Sequence, residues 1–138
     1  MIGKNRMAVR PQRPTDGAVL AITFQYYRDL PRAMAFYEDV LGLELAIDQG
    51  WSKIYRIEGA AHLGLVDETR GMQNWAEQKT VQVCLRVSDV DPWYDWAASR
   101  GVDALTAPRD SEELGIRAFV FADPEGYQIE VQSVLPGR

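Results

Sequence analysis

The stretch FADPEGYQIEVQ, residues 121–132, decides how the end of this chain folds. Its Asp-Pro-Glu-Gly segment, residues 123–126, predicts a tight turn, because proline fixes φ and glycine accepts the positive φ that closes such a bend. After the turn, apolar residues alternate with polar ones, with Tyr127, Ile129 and Val131 set against Gln128, Glu130 and Gln132. A period of two is typical of a half-buried strand, so this stretch predicts a strand with Glu130 on its polar face.

The first half of the chain predicts a strand, a helix and three further strands. The helix lies within residues 28–42, where Asp29 can cap it, Pro31 suits its first turn and Gly42 ends it. Its apolar face is formed by Ala33, Phe36, Tyr37, Val40 and Leu41. The strands are AITFQYY (21–27), LELAI (43–47), WSKIYRI (51–57) and AHLGLV (61–66).

The second half repeats this order. Its helix lies within residues 88–101, with Ser88 or Asp89 as the cap and Gly101 as the end. Asp89 follows Asp29 by sixty residues, and the same offset relates Cys84 to Phe24. The strands are TVQVCLRV (80–87), VDAL (102–105), RAFVFA (117–122) and YQIEVQ (127–132). A repeat of this length indicates a duplicated β-α-β-β-β module.

These elements predict an α+β fold made of two tandem βαβββ modules, residues 19–66 and 80–134, joined by a linker, residues 67–79. We expect a flexible N-terminal tail, residues 1–17, ahead of a single domain, residues 18–138. In each module the helix should cover one face of the sheet.

The strand beginning at Thr80 has two different faces. Its apolar face, expected to lie under the helix, carries Val81, Val83, Leu85 and Val87. Its polar face carries Gln82, Cys84 and Arg86, and the last strand adds Gln128, Glu130 and Gln132. The corresponding face of the first module is aromatic, with Phe24 and Tyr26. Because exposed aromatic residues on a sheet usually mark a partner or ligand surface, we expect the modules to form a curved mixed sheet around a shared cleft into which Glu130 points.

Charge and composition exclude several classes of function. Residues 1–17 carry a net charge of +3, which leaves the remainder of the chain at −8, with 11 basic and 19 acidic residues. Such an acidic body argues against nucleic acid as a partner and is compatible with cationic ligands. No apolar stretch is long enough for a membrane helix. The single cysteine, Cys84, excludes an internal disulfide, so we expect a cytoplasmic protein.

The chain resembles the vicinal oxygen chelate superfamily, which includes glyoxalase, bleomycin-resistance proteins, fosfomycin-resistance enzymes and dioxygenases. In the first module the resemblance lies in YYRDLPRAMAFYEDVLGLEL (26–45). In the second it lies in RVSDVDPWYDWAASRGV (86–102) and RAFVFADPEGYQIEVQ (117–132). It covers about residues 19–134 and implies the same two-module fold. Function does not follow from it, because one fold hosts several chemistries.

The resemblance implies four strand positions at which family enzymes hold a divalent metal. Here these positions are Ile22, Gly64, Gln82 and Glu130. Isoleucine and glycine offer no side-chain ligand, so we expect no metal cofactor. If a metal does bind, its ligands should be His62, Gln82 and Glu130, because His62 lies two residues before Gly64 and therefore on the same strand face.

Several other side chains have two interpretations. Cys84 is either a small apolar filler or a nucleophile activated by Arg86 or His62. Arg86 and Arg117 either clamp an anion or pair with Glu130. Trp93 and Trp96, three residues apart on a helix, suggest core or a subunit contact. Trp51 and Trp75 are placed to close over a ligand, although a linker tryptophan such as Trp75 often simply packs down.

Two functions are compatible with these residues. The first is metal-free sequestration of an aromatic or cationic small molecule, as in antibiotic resistance, with a cleft lined by Phe24, Tyr26, Trp51, Tyr55, His62, Gln82, Cys84, Arg86 and Glu130. The second is a divergent enzyme of the lyase, isomerase or dioxygenase type, with Glu130 as base or metal ligand. Exposed strand edges and tryptophans predict a homodimer in either case.

Overall fold

A computed structural model describes residues 10–138. The expected flexible tail, residues 1–17, lies partly outside the described residues, and residues 10–20 contain neither helix nor strand. The elements of the first module are β1 (Ala21–Tyr27), α1 (Leu30–Asp39), β2 (Glu44–Asp48), β3 (Ser52–Glu58) and β4 (Ala61–Asp67). Those of the second module are β5 (Gln82–Arg86), α2 (Val90–Ser99), β6 (Arg109–Ser111), β7 (Ile116–Ala122) and β8 (Gln128–Val134).

Both helices begin and end as the sequence predicts. The side chain of Asp29 accepts a hydrogen bond from the Arg32 amide at the start of α1. Asp89 does the same for the Asp91 amide at the start of α2. Each carboxylate thereby satisfies a backbone amide that the first turn of a helix leaves without a partner. Past the helix ends, Gly42 and Gly101 adopt positive φ values of 65° and 64°.

The two modules have the same sheet topology, as expected of a repeat. Their strand orders are β1-β4-β3-β2 and β5-β8-β7-β6. In both sheets the first and last strands of the module are parallel neighbours, and the other pairs are antiparallel. The predicted α+β architecture of two βαβββ modules is therefore confirmed.

One predicted strand is wrong. Residues 102–105, VDAL, form only an isolated bridge between Asp103 and Ala122. Ala104 has a φ of 52°, which an extended strand does not allow. The strand of the second module that corresponds to β2 is instead β6, which pairs with β7 through a register that begins at Arg109 and Ala118.

The helix-covered faces of the two modules share one hydrophobic core. Phe36 of α1 lies 6.3 Å, between ring centroids, from Phe121 of β7 in the other module. Tyr27 of β1 lies 5.2 Å from Tyr127 at the start of β8. The largest fully buried side chains of this core include Tyr27, Tyr37, Tyr55, Leu63, Leu65, Phe121, Ile129 and Val131. The modules therefore pack together through these faces, which leaves the opposite face of each sheet turned away from the core.

A buried carboxylate ties the modules together inside this core. Asp123, which is 2% exposed, accepts hydrogen bonds from the hydroxyls of Tyr27 and Tyr37 at 2.5 and 2.8 Å. Its other oxygen accepts from the backbone amides of Glu125 and Tyr127. Burial, followed by the charge of the neighbouring groups, raises the pKa of both tyrosines well above the ordinary value. A buried charge is tolerated when it is fully hydrogen-bonded, as it is here.

The linker also folds against the body. Its Trp75 indole donates to Glu125, while the guanidinium of Arg28 and the ammonium of Lys79 each contact the indole ring, at 3.5 and 3.7 Å from its centroid. The same Glu125 carboxylate accepts from the backbone amides of Arg28 and Asp29. Trp75 therefore packs down onto the body through these contacts. Within residues 10–138 none of the helices is long and apolar enough to cross a membrane.

Candidate functional site

The outer face of each sheet, meaning the face turned away from the core, holds most of the predicted site residues. In the first module Ile22 pairs with His62, and Phe24 pairs with Gly64. In the second module Gln82 pairs with Gln128, and Cys84 pairs with Glu130. Because paired residues lie side by side on one face, Phe24 with Gly64 and Cys84 with Glu130 occupy equivalent places in the two modules.

A groove between the modules brings three predicted residues together. His62, Gln82 and Cys84 line a cavity of about 260 Å³, with walls from Ala21, Thr23, Ile57, Ala61, Leu63, Val81 and Val83. A neighbouring cavity of about 310 Å³ shares Ile57, Ala61 and Cys84 and extends to Leu41, Leu43, Arg86 and Trp93. The two cavities run along β5 and together reach the size of small-molecule sites.

Polar side chains on the outer face of the second module form a hydrogen-bonded row. Glu130 accepts from the Cys84 thiol at 3.4 Å and from the Gln132 amide at 2.5 Å. Gln132 in turn accepts from the guanidinium of Arg86 at 2.6 Å. Farther along the face, Gln82 donates to Gln128. The row fixes the orientation of Glu130 and places a carboxylate one strand away from the groove.

Cys84 is in the wrong environment for a nucleophile. Partial burial raises the pKa of its thiol, and the hydrogen bond to the Glu130 carboxylate and its negative charge raise it further, to about 11. The positive charge of Arg86 acts in the opposite direction but is the weakest of these effects. At neutral pH the thiol therefore stays protonated, whereas a reactive cysteine needs a thiolate.

The outer face of the first module is aromatic. The Phe24 ring lies over Gly64, and a β-carbon added at position 64 would sit 2.4 Å from that ring. Phe24 also packs against Trp51, with 5.8 Å between ring centroids and 38° between ring planes. The Phe24 side chain remains 39% exposed. These two rings form a surface on which a flat ligand could stack.

Tyr26 and Tyr55 are placed differently from this pair. The Tyr26 ring lies against Gly71 of the linker, where an added β-carbon would be 2.4 Å away. The expectation that Tyr55 lines the cleft is wrong, because its side chain is fully buried on the helix-covered face, opposite Leu63. Its hydroxyl donates to Glu38 at 2.5 Å, and burial raises its pKa. Tyr55 belongs to the core because it shares its strand face with its cross-strand neighbour Leu63, which lies in the same core.

His62 lies on the outer face but is largely covered, with 8% of its surface exposed. Its Nδ1 is 2.9 Å from the carbonyl oxygen of Ala60. A carbonyl can only accept, so Nδ1 carries the proton in this contact and leaves Nε2 as the atom available to a ligand. His62 therefore fits a binding role in the groove.

The two arginines have separate partners. Arg117 forms ion pairs with Asp91 and Asp110, both at 3.0 Å. It therefore does not neutralise Glu130. Arg86 reaches Glu130 only through Gln132, and its side chain remains exposed at the end of the groove.

Trp93 and Trp96 belong to the surface and not to the core. They are 36% and 42% exposed, and with Leu41 and Pro92 they line a separate cavity of about 280 Å³. The Trp96 indole donates to the Val40 carbonyl at the end of α1. Two neighbouring exposed tryptophans are unusual on a protein surface that has no partner.

The model of the Glyoxalase/Bleomycin resistance protein/Dioxygenase superfamily matches residues 19–131. The chain belongs to this superfamily. No curated protein matches it significantly.

Several solved structures share the fold of this chain. A glyoxalase/bleomycin resistance protein/dioxygenase from Nocardioides is 23% identical, with a TM-score of 0.73, covering 99% of this chain and 94% of its own. TnmS3, an antibiotic-binding protein from Streptomyces sp. CB03234, is 24% identical, with a TM-score of 0.70 and coverages of 88% and 99%. The fosfomycin resistance protein FosX from Listeria monocytogenes is 16% identical, with a TM-score of 0.67 and coverages of 86% and 95%.

The metal that the superfamily resemblance implies does not fit the first module. The Phe24 ring fills the space into which a side chain at position 64 would project, and a methyl group of Ile22 lies 3.2 Å from the same point. Among residues 10–138 there is no group of three His, Cys, Asp or Glu side chains that could hold a metal ion. Only His62 and Glu130 of the expected set are good metal ligands, and transition metals in proteins usually have at least three.

Sequence reasoning missed two features of this superfamily member. No local sequence pattern marks Leu41, Ile57 and Ala61 as walls of the groove, because the groove forms only when the two modules pack together. Gly64 did have a signal, since a glycine inside a strand often marks the close approach of another group. Here that group is the Phe24 ring.

Proposed function

We propose that this protein binds a small aromatic or cationic compound, without a metal ion, at the groove and the adjoining outer sheet faces. The observation that carries this proposal is the groove itself, in which mostly apolar walls surround His62, Gln82 and Cys84. A cavity with apolar walls and a few fixed polar groups is typical of small-molecule sites. The neighbour TnmS3 is an antibiotic-binding protein with the same fold, which supports a binding function here.

Charge supports a cationic ligand. The body has a net charge of −8, and Glu130 holds a carboxylate on the outer face beside Cys84. Cations are attracted both to carboxylates and to the faces of aromatic rings such as Phe24 and Trp51. The free thiol of Cys84 is compatible with a reducing cytoplasm.

The test is a titration with proflavine, a flat aromatic cation, followed by tryptophan fluorescence and by calorimetry. Saturable binding of one dye per chain with a micromolar Kd is expected, together with loss of most of the quenching in Trp51→Phe. Failure to bind at millimolar dye would contradict the proposal.

A divergent enzyme that uses Glu130 as a base is the alternative. The observation in its favour is that Glu130 accepts its two side-chain hydrogen bonds through Oε2, which leaves Oε1 for a substrate proton. Glu130→Gln distinguishes the two functions. An enzyme would lose turnover and keep substrate binding, whereas a sequestering protein would lose affinity for a cation and show no turnover to begin with.

A homodimer is part of this proposal. Trp93 and Trp96 are exposed beside Leu41, and the edge strand β2 exposes Leu45 and Ile47. Apolar surface of this kind is usually covered by a second subunit. Light scattering at micromolar concentration should give twice the chain mass of 15.6 kDa, and a monomer mass would contradict the dimer.

A further inference from the structure

Gly64 stands at a position where the backbone does not require glycine. It lies inside β4, and its φ is not among the positive values that most other glycines of the chain adopt. Glycine inside a strand costs about 0.5–1 kcal/mol relative to alanine when nothing else demands it. The reason for this glycine is therefore found in its surroundings.

Those surroundings leave no room for a side chain. A β-carbon at position 64 would lie 2.4 and 2.5 Å from two atoms of the Phe24 ring, far inside van der Waals contact. The ring is therefore seated directly on the backbone of β4. Any residue other than glycine must displace Phe24 or shift the strand.

Phe24 is partly exposed to solvent as well as packed against Gly64. It is 39% exposed, although the neighbouring outer-face residues Ile54 and Val66 are fully buried. Trp51 supports it from the side, with tilted rings 5.8 Å apart. An exposed ring that is fixed from below and from the side is preorganised to stack on another ring, because little side-chain entropy remains to be lost.

We propose that Gly64 determines ligand specificity by seating the Phe24 ring, which makes the outer face of the first module a platform for a flat aromatic group. This inference rests on the proposed function and limits the ligand to compounds that carry a flat aromatic group. The ligand presents a planar apolar ring to Phe24 and Trp51, at a position where the superfamily resemblance implies a ligand to a divalent metal.

The test compares 2-naphthol with decahydro-2-naphthol, which has the same carbon skeleton and hydroxyl but is neither flat nor aromatic. Calorimetry on the full chain should show binding of 2-naphthol at least tenfold tighter than of the saturated compound. Gly64→Ala and Phe24→Ala should each weaken 2-naphthol at least fivefold. The double variant should be no weaker than Phe24→Ala alone, because without the ring position 64 has nothing to displace.

Gly71→Ala is the matched control. It introduces a conflict of similar size, with the Tyr26 ring at 2.4 Å and a Val66 methyl group at 2.6 Å, but none with Phe24. It should change 2-naphthol binding less than twofold. If Gly64→Ala does not fold, as judged by circular dichroism, Phe24→Ala and Trp51→Ala take its place, and each must show the fivefold loss. A smaller loss in either variant would refute the platform.

The outcomes separate the two proposals. If 2-naphthol binds but Gly64→Ala has no effect, or its effect adds to that of Phe24→Ala, the role of Gly64 is refuted and the binding function stands. The same conclusion follows if the saturated compound binds as tightly. If neither 2-naphthol nor proflavine binds, the binding function fails and the role of Gly64 fails with it.

Discussion

The two modules share a backbone plan but use equivalent positions for opposite chemistry. In the first module these positions hold Phe24 and Gly64, and the Phe24 ring packs directly against the backbone of Gly64. In the second they hold Cys84 and Glu130, a thiol that donates to a carboxylate. The first pair excludes charge and offers an aromatic surface, while the second pair fixes a charge in place. Duplication preserved the topology, and two side-chain positions were enough to make the two outer faces different.

Moving the acidic residue from one module to the other should have the largest effect, which is on the free energy of unfolding. Gly64→Glu places a carboxylate against the Phe24 ring and should destabilise the fold by about 3 kcal/mol, the upper end of the cost of overpacking. Glu130→Ala, which removes the acid from the other module, should cost less than about 1 kcal/mol, because Glu130 is only half-buried. Urea unfolding measures both changes.

The control for this exchange is Gly64→Glu in a Phe24→Ala background, measured against Phe24→Ala. Removal of the ring should restore most of the lost stability. Equal costs for Gly64→Glu and Glu130→Ala would show that the two positions are not as different as the structure indicates.

Removing the charge of Glu130 should have the next largest effect. Glu130→Gln keeps the shape of the side chain and should weaken the binding of proflavine by roughly 1.5–3 kcal/mol, the value of a hydrogen bond to a charged group. A neutral ring such as 2-naphthol should bind almost as before. Calorimetry with both compounds checks this, and an equal loss for both would mean that Glu130 acts only by shaping the face.

The same substitution of Glu130 should have a smaller effect on Cys84, whose thiol should become more reactive. Partial burial first, and then the Glu130 carboxylate, raise the thiol pKa to about 11, so Glu130→Gln should lower that pKa and increase the thiolate fraction at about pH 8. Each unit of pKa corresponds to about tenfold more thiolate. Alkylation by iodoacetamide, followed by mass spectrometry across roughly pH 7–10, should therefore be several-fold faster in the variant. An unchanged pH profile would rule out the contact between thiol and carboxylate.

Removal of metal ions should not change the stability of the protein. With the position at Gly64 closed by Phe24, we expect the purified protein to carry no stoichiometric nickel, zinc, manganese or iron, and EDTA to leave the melting temperature unchanged. Elemental analysis showing about one metal per chain would overturn this. Loss of that metal in His62→Ala would then identify His62 as a ligand.

The sequence was sufficient for most of the fold because its signals are local. Asp29 and Asp89 cap the helices, and alternation in β5 and β8 places Cys84 and Glu130 on the same face. The strand misplaced at residues 102–105 failed because a positive φ at Ala104 cannot be inferred from an ordinary alanine.

The candidate site was less predictable, because it depends on contacts between distant segments. The sequence of β3 does not decide which face Tyr55 occupies, because Ile54 and Tyr55 are adjacent apolar residues that are both buried, and aromatic character alone suggested the cleft. The groove depends on how the modules pack, which no single stretch encodes. The contact between the Phe24 ring and Gly64 joins two strands that lie about forty residues apart in the chain. The glycine inside a strand was the one sequence feature that indicated this contact.

The buried carboxylate of Asp123 has a consequence for how the chain can be divided. Its two hydroxyl donors, Tyr27 and Tyr37, belong to the other module. Asp123 Oδ2 therefore depends on the first module for both of its donors, so each half resembles one subunit of an obligate heterodimer whose subunits happen to be covalently joined. A protease cut in the linker should therefore yield two fragments that stay associated and separate only when both unfold.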